Sequence, residues 1–220
     1  MSLNLPQIEP QETITGRLYT ELEEAIIDGR LAPGQRVHAD EIAEHFRVSR
    51  IPVREALRAL QANGWLEIRP RRETIVPAQT PEDLEDLFEV RVLLDARAAS
   101  LAAERRSEQD LEALHALVQE SRSASGDMAA LARLNEQFHV AVARASRNAL
   151  LETLVQTLAK RVRWYFAQVA PVRAAHSVRE HGDLLQAIRQ GTGPRAAEIA
   201  SAHIERTRSA ASTAIRARGD

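Results

Sequence analysis

The chain has 220 residues, of which 44% are hydrophobic and 27% charged, enough for one domain of ordinary size and a second, smaller one. It contains no cysteine, which excludes structural disulfides, a thiolate nucleophile and a cysteine-based metal site. The net charge is −2, and no apolar run approaches the ~18 residues that a membrane span requires. No signal-peptide pattern precedes the first predicted domain, so we expect a cytoplasmic protein with no membrane partner.

A helix-turn-helix is predicted over residues 40–58, where apolar residues recur at helical spacing in two short segments. Ser49 stands at the N-cap of the second helix, and Pro52 lies in its first turn, where a missing N–H breaks no helical bond. Three arginines at i, i+4 and i+8 occupy the face opposite the apolar residues: Arg50, Arg54 and Arg58. A second helix that presents guanidinium groups in this way is typical of a recognition helix that enters the DNA major groove.

Two short strands are predicted next, over residues 65–68 and 73–76, after Asn63-Gly64 ends the recognition helix. The turn between them carries three arginines, namely Arg69, Arg71 and Arg72. Residues 47–72 hold seven arginines and two acids, whereas the first 80 residues hold ten arginines and twelve acids. Positive charge is therefore concentrated at the recognition helix and this wing, which favours DNA binding. The alternative is a solvated arginine-rich surface, since 28 of the 29 basic residues are arginine.

Strand patterns end near residue 77, and we place the domain boundary there, with a DNA-binding domain in residues 1–78 and a helical domain in residues 79–220. Six helices are predicted in the second domain, at 81–104, 107–124, 127–145, 148–168, 172–190 and 194–217, with Pro171 as one of the stops. Short connections favour an antiparallel bundle of six to seven helices. The predicted fold class is mainly α: a winged helix-turn-helix with a small β-hairpin wing, followed by this bundle.

Inward-facing polar residues mark three of the predicted helices. Asn135 and His139 share one face at i, i+4, while His181 and His203 lie among apolar residues on two later helices. Three imidazoles and a carboxamide oxygen suit a divalent cation such as Zn, Ni, Mn or Fe. On spacing alone, hydrogen-bonded core histidines are the more common explanation. The remaining histidines are predicted to lie at the surface: His38, His45, His115 and His176.

The N-terminal motifs resemble one family of bacterial transcription regulators, the GntR family, from about Ile14 to Val76. The residues that carry the resemblance are Ala32-Pro33-Gly34, Glu41-Ile42-Ala43, Val48 to Leu57, Leu60 and Gly64-Trp65-Leu66. The resemblance implies a dimer that reads a palindrome in double-stranded DNA. It assigns DNA contacts to Ser49, Arg50, Pro52, Arg54 and the wing at 69–72. His38-Ala39-Asp40-Glu41 replaces the Pro-Ser-Glu-Arg of many relatives, so one arginine contact is absent or replaced.

The C-terminal motifs resemble the all-helical FCD effector domain of the FadR-type branch, from about Pro81 to Thr207. The residues that carry it are Val90-Arg91, Asp95, Asn135, Phe138-His139, Asn148, Leu150-Leu151, Glu180-His181, Ala187-Ile188 and Ala202-His203. The resemblance implies that Asn135, His139, His181 and His203 hold a divalent metal ion. Most metal-binding relatives have Asp where Asn135 stands, and the lost negative charge should weaken metal binding.

This resemblance also implies that a small organic acid binds beside the metal, and two arginines are predicted effector contacts. Arg91 lies on the apolar side of its helix, where its charge needs a partner, either the ligand or Asp95 four residues on. Arg163 belongs to a second cluster, with Arg161, Trp164 and Tyr165. The alternative for Arg163 is a surface position with the charged end in solvent.

These features together predict a ligand-responsive transcription regulator, a repressor that binds operator DNA as a homodimer and senses a carboxylate metabolite. One alternative is a metal-dependent hydrolase or isomerase fused to a DNA-binding module. Against an enzyme, no carboxylate stands at the spacing of a general base such as His-Glu-x-x-His, and Glu136 should face away from Asn135. The other alternative is an effector-blind DNA-binding protein in which the inward histidines only form hydrogen bonds.

Overall fold

The computed structural model describes residues 13–70, 73–124 and 126–219. The chain divides into two compact units, residues 1–78 and 79–220. The mainly helical fold class is confirmed, with a winged helix-turn-helix followed by a helical bundle. None of the helices in the described ranges is both long enough and apolar enough to cross a membrane.

The N-terminal unit contains three helices and a hairpin: α1 (Ile14–Ile27), α2 (Ala39–Phe46), α3 (Arg50–Ala62), β1 (Glu67–Arg69) and β2 (Glu73–Ile75). The turn between α2 and α3 passes through Arg47, which has a left-handed φ of 54°, and the Val48 N–H returns to the Ala43 carbonyl at 3.0 Å. Leu18, Ala43 and Val53 meet in one apolar cluster, so α1 supports the helix-turn-helix from behind.

The wing is an antiparallel pair in which Ile68 lies opposite Thr74. Gly64, with a φ of 70°, ends the α3 segment as expected. An extended stretch before α2 continues the ladder beyond β2, because the Val37 N–H donates to the Thr74 carbonyl at 2.8 Å. This third strand-like segment was not predicted, since its apolar residues are too few to alternate over a strand length.

The C-terminal unit contains five helices: α4 (Pro81–Arg105), α5 (Glu108–Ser123), α6 (Met128–Ala145), α7 (Ala149–Arg189) and α8 (Gly193–Gly219). Helices α4 to α7 begin at the predicted N-caps. In each of them the side-chain oxygen of the N-cap residue accepts a hydrogen bond from a backbone N–H of the first turn; the four caps are, in order, Thr80, Ser107, Asp127 and Asn148. Phe138, Leu184 and Ile188 belong to the core that α4 to α8 enclose.

One predicted boundary is wrong: the segments at 148–168 and 172–190 form a single helix of 41 residues with Pro171 inside it. Proline removes one helical hydrogen bond and ordinarily breaks or kinks a helix at a cost of about 3 kcal/mol. Here Val169 and Ala174 are buried on either side of the proline. Packing against the neighbouring helices offsets the lost bond, which local sequence rules cannot anticipate.

Candidate metal centre and nucleic-acid interface

Helix α3 presents a basic face to solvent because its apolar face is fully used in packing. Val53, Ala56 and Leu60 have no exposed surface. The polar side chains predicted to meet DNA are exposed: Ser49, Arg50, Arg54 and Arg58. Pro52 is half-buried in the first turn, consistent with a shaping role. The Ser49 side chain makes no capping hydrogen bond, although Ser49 occupies the N-cap, so its hydroxyl stays available to a partner.

Two of the basic residues pair with nearby acids. Arg50 Nε lies 2.9 Å from Asp40 Oδ1, and Arg69 Nε donates to Glu67 Oε1 at 2.9 Å. All four side chains are well exposed, so these pairs are weak and can yield to phosphate or base contacts. The other two wing arginines, Arg71 and Arg72, lie outside the described residues.

In the C-terminal unit, three histidines predicted from separate positions meet in the interior. His139 from α6, His181 from α7 and His203 from α8 are at most 3% exposed, and their ligand atoms all lie within 4.8 Å of one another. The Nε2 atoms of His139 and His203 are 3.2 Å apart. The histidines predicted to be external, His38, His45, His115 and His176, are all exposed.

Two carboxylates orient two of the three rings. The Nδ1 atom of His139 is 2.7 Å from Asp95 Oδ1, and the Nδ1 atom of His203 is 2.7 Å from Glu180 Oε2. An Nδ1–H donated to each carboxylate leaves the Nε2 lone pairs as the atoms that face each other. Two lone pairs at this separation repel unless a cation or a proton lies between them. Carboxylate–histidine pairs of this kind are the usual support of a metal site.

Arginines stand behind both carboxylates. Arg91 pairs with Asp95 inside α4, and Arg173 Nη2 lies 2.6 Å from Glu180 Oε2. Burial alone would raise the pKa of each carboxyl group. The charges and hydrogen bonds of Arg91 and His139 nevertheless lower the pKa of Asp95, and those of His203 and Arg173 lower the pKa of Glu180 to about 2. Both groups are therefore ionised at neutral pH and can accept the Nδ1–H bonds.

The third histidine lacks such a partner. His181 stacks on Phe138 with ring centroids 4.1 Å apart, and its buried Nε2 atom has no hydrogen-bond partner among the described residues. The same holds for the Oδ1 atom of Asn135, which is 6% exposed. A buried polar atom without a partner costs free energy, so both atoms point to a group that completes them.

Burial also holds the imidazoles in the form that binds metal. It lowers the pKa of His139 to about 4 and lowers the pKa of His181 and of His203 below their ordinary value. Neutral imidazole is the ligand form, because an imidazolium has no lone pair to donate. Three neutral nitrogens and one amide oxygen therefore fit a divalent transition-metal ion with coordination positions to spare.

The two predicted effector arginines are both buried and both paired with acids. Arg91 has no exposed surface and contacts Asp95, as the intrahelical alternative anticipated, while its buried Nη1 atom makes no hydrogen bond within the described structure. Arg163 is 6% exposed and its Nη1 atom lies 3.3 Å from Glu136 Oε2. The alternative of a solvated surface position for Arg163 is therefore wrong, since its helix turns this face toward α6.

Two polar residues of the site, Arg173 and Ser177, are absent from the sequence-based prediction, and Glu180 enters it only through the resemblance, without its role at His203. Arg173 and Ser177 precede His181 by eight and four residues, so Arg173, Ser177 and His181 lie on one inward face of α7. The i, i+4, i+8 spacing was visible in the sequence. Its meaning depended on knowing that this face points into the bundle, which periodicity left open for a helix interrupted by proline.

Comparisons with known proteins match both units. Residues 14–76 match the gntR family of bacterial regulatory proteins, and residues 86–206 match the FCD domain. The HTH-type transcriptional regulator LutR of Bacillus subtilis (strain 168) is 32% identical over 204 residues, which cover 81% of this chain and 92% of LutR.

Solved structures show the same fold. E. coli McbR/YncC superposes with a TM-score of 0.76 at 24% identity, covering 88% of this chain and 94% of that chain. A metal-free FCD domain, that of TM0439, superposes with a TM-score of 0.54 at 20% identity, covering 64% of this chain and 99% of that chain.

Proposed function

This chain belongs to the GntR family of bacterial regulatory proteins and carries an FCD domain; on that premise we propose that it binds operator DNA as a dimer and senses a small organic acid beside a divalent metal ion. Its relatives are transcription regulators, which confirms the prediction of a regulator and not of a metal-dependent hydrolase or isomerase. The further proposals are that it acts as a repressor and that the operator is palindromic.

The DNA-binding proposal rests on the exposed polar side chains of α3 and the wing. Ser49, Arg50 and Arg54 lie at the start of a helix whose opposite face is buried, the arrangement that lets a helix enter a major groove. Arg58 on α3 and Arg69 on β1 are also exposed and add to the basic surface. A regulator that occupies its operator excludes other proteins from that DNA, which is the basis for proposing repression.

The metal proposal rests on one observation above all: one ring nitrogen from each of three buried histidines lies within 4.8 Å of the others, while the Nδ1 atoms of His139 and His203 are held by ionised carboxylates. We assign His139, His181, His203 and the Oδ1 atom of Asn135 as the candidate ligands. A bound ion would supply positive charge and open coordination positions for a carboxylate oxygen. These four ligand atoms carry no negative charge, so an acid is the natural charge compensation.

Arg91 and Arg163 remain proposed effector residues, with a qualification from their pairing. The charge of Arg91 is already balanced by Asp95. Arg91 therefore contributes to effector binding either through its Nη1 group, which makes no hydrogen bond within the described structure, or by holding Asp95 against His139. Arg163 is matched by Glu136. Neither arginine brings an uncompensated charge, which leaves the metal as the main anchor for an anion.

Metal analysis of the purified protein tests the site. The wild-type protein is dialysed against zinc and the free ion is then removed. Elemental analysis by inductively coupled plasma mass spectrometry should then find one zinc ion per chain. His181→Ala should lose the zinc, because removal of one imidazole opens the site. The matched control is His176→Ala, an exposed histidine on the same helix, which should retain it. Circular dichroism confirms that each variant is folded.

Retention of zinc by His181→Ala, or absence of zinc from the wild-type protein, would mean that the histidines are structural. The effector-blind alternative would then be preferred.

The dimer proposal rests on exposed apolar residues of the C-terminal unit. Val90 and Leu93 form one pair on α4, and Leu150 and Leu154 form another on α7, each at the spacing of a single helix face. Leu93 and Leu150 are each 69% exposed. Contiguous apolar residues at the surface are typical of an interface, and a second copy of this chain is the partner we propose.

A further inference from the structure

A small cavity lies beside His181, between α5, α6 and α7. Its polar lining consists of Ser121, Asn135, Ser177 and His181, and its apolar lining includes Leu131 and Phe166. The cavity volume is about 10 Å³, room for roughly one water molecule. Two of the lining residues, Asn135 and His181, are candidate metal ligands, and each has a buried atom without a hydrogen-bond partner, Oδ1 and Nε2 respectively. The cavity therefore adjoins the metal centre.

Ser177 is the lining residue whose chemistry is unexplained. It is 2% exposed, and its Oγ atom has no hydrogen-bond partner within the described residues. A helical serine usually donates to the carbonyl four residues before it, as Ser121 does to Leu117 at 2.7 Å. Ser177 makes no such bond, although both serines are buried and line the same cavity. Because an unmade buried hydrogen bond is costly, Ser177 is placed to bind something that enters the cavity.

We propose that the Ser177 hydroxyl donates a hydrogen bond to the carboxylate of the acid held at the metal centre, and that this acid is a short monocarboxylate. The proposal rests on the proposed metal-dependent effector site. Ser177 lies one helical turn before His181 on the same face of α7, so one carboxylate can reach both the centre and the hydroxyl.

The lining also restricts the chemistry of the acid. Among the described residues, no arginine or lysine lines this cavity. A second carboxylate would therefore be buried without a cation, at a high cost in free energy. The side chains of Leu131, Phe166, Ala174 and Val178 form an apolar wall suited to a short alkyl group. Because the cavity has room for only about one water molecule, even a short acid must move its walls apart, and each further carbon requires a larger displacement; this favours an acid of very few carbons.

Calorimetry with zinc, propionate and succinate tests this proposal on the full-length protein. Ser177→Ala should bind zinc within about twofold of wild type, because the hydroxyl is not a metal ligand. Zinc-loaded Ser177→Ala should bind propionate about tenfold more weakly, the loss of roughly one hydrogen bond to a charged group. Ser123→Ala is the matched control: this exposed serine of α5 lies outside the cavity lining and donates to the Gln119 carbonyl at 3.2 Å, so the variant should bind propionate as wild type does.

Several results would overturn the proposal. Equal propionate affinity in Ser177→Ala and wild type would mean that the hydroxyl takes no part. Tighter binding of succinate than of propionate would refute the monocarboxylate class, and failure of zinc-loaded wild type to bind propionate would refute both parts. Failure of the wild-type protein to bind zinc is a different result, which refutes the proposed metal centre itself.

Discussion

At the residue scale, Arg91, Asp95 and His139 form a buried chain of charge and hydrogen bonds. Arg91 holds Asp95 ionised, and Asp95 fixes the tautomer of His139, so the Nε2 lone pair of His139 faces His203. A charged arginine with no exposed surface is tolerated because a carboxylate lies beside it. Through this series of contacts, Arg91 on α4 acts on the metal centre without touching the ion.

Replacement of Arg91 should therefore reduce stability. Arg91→Met keeps much of the side-chain volume but leaves the charge of Asp95 buried with only His139 beside it. We expect the free energy of unfolding to fall by about 3–5 kcal/mol, measured by urea denaturation of metal-free protein. Arg97→Met, at an exposed position on the same helix, should change it by less than ~0.5 kcal/mol.

A different outcome would reassign Arg91. If Arg91→Met unfolds like the wild type but binds carboxylates more weakly, its principal partner is the effector and not Asp95.

Asn135 determines the charge of the proposed ligand set. Asn135→Asp adds a negative charge next to the ion, so zinc should bind roughly tenfold more tightly in competition with a chromophoric chelator. Carboxylate binding should weaken, because the new carboxylate competes for the same positive charge. Asn148→Asp is the control: this exposed N-cap position tolerates either residue and lies away from the histidines. Unchanged zinc affinity in Asn135→Asp would remove Asn135 from the ligand set.

At the element scale, the recognition helix α3 illustrates how well local patterns work when a helix is short and capped. Its N-cap at Ser49, its end before Gly64 and its exposed arginine face agree with the pattern of apolar and basic residues. Helix α7 shows where local patterns fail: Pro171 predicted a helix break, but the helix continues through it. Local rules describe what one segment prefers, and a 41-residue helix owes its continuity to the helices around it.

Arg50 provides a test of the α3 assignment. Its ion pair with Asp40 is exposed and therefore weak, so little is lost when the guanidinium turns to a base. With an operator selected from random duplexes, Arg50→Ala should lose about 1–3 kcal/mol of binding free energy and relax specificity at one position. Arg30→Ala, an exposed arginine of the same unit outside α3, should lose less and keep the specificity. Wild-type affinity in Arg50→Ala would contradict the proposed recognition helix.

At the scale of the whole molecule, oligomeric state depends on the apolar residues that the fold leaves exposed. Leu93→Asp places a charge within the α4 pair, and we expect sedimentation at micromolar concentration to show monomers where wild type shows dimers. Val172→Asp, at an exposed apolar position of α7 that lies far along the helix from Leu150 and Leu154, should remain dimeric. A wild-type monomer under these conditions would refute the dimer and, with it, the palindromic operator.

The stability of metal-free protein should depend on pH through the buried histidines. The pKa of His139 is about 4 in the fold and 6.5 ordinarily. As pH falls through this window, the unfolded chain binds a proton that the folded chain does not, so stability decreases. Thermal midpoints should therefore drop between pH 7 and pH 5. His176 is exposed, so the control variant His176→Gln should show the same decrease. A wild-type thermal midpoint that does not change between pH 7 and pH 5 would mean that the buried histidines are not held neutral.

Sequence by itself determined the helix-turn-helix, the wing and the helix caps, because those features depend on local spacing and residue chemistry. It offered Asn135, His139, His181 and His203 as candidate ligands through the resemblance to the FCD domain, whereas spacing alone favoured hydrogen-bonded core histidines. Tertiary structure alone decided that the three imidazoles converge, that Asp95 and Glu180 orient two of them, and that Arg91 and Arg163 are already paired. It also decided that the Ser177 hydroxyl is left unpaired beside His181. Distance between helices depends on how whole faces pack, and that packing is a property of the complete fold.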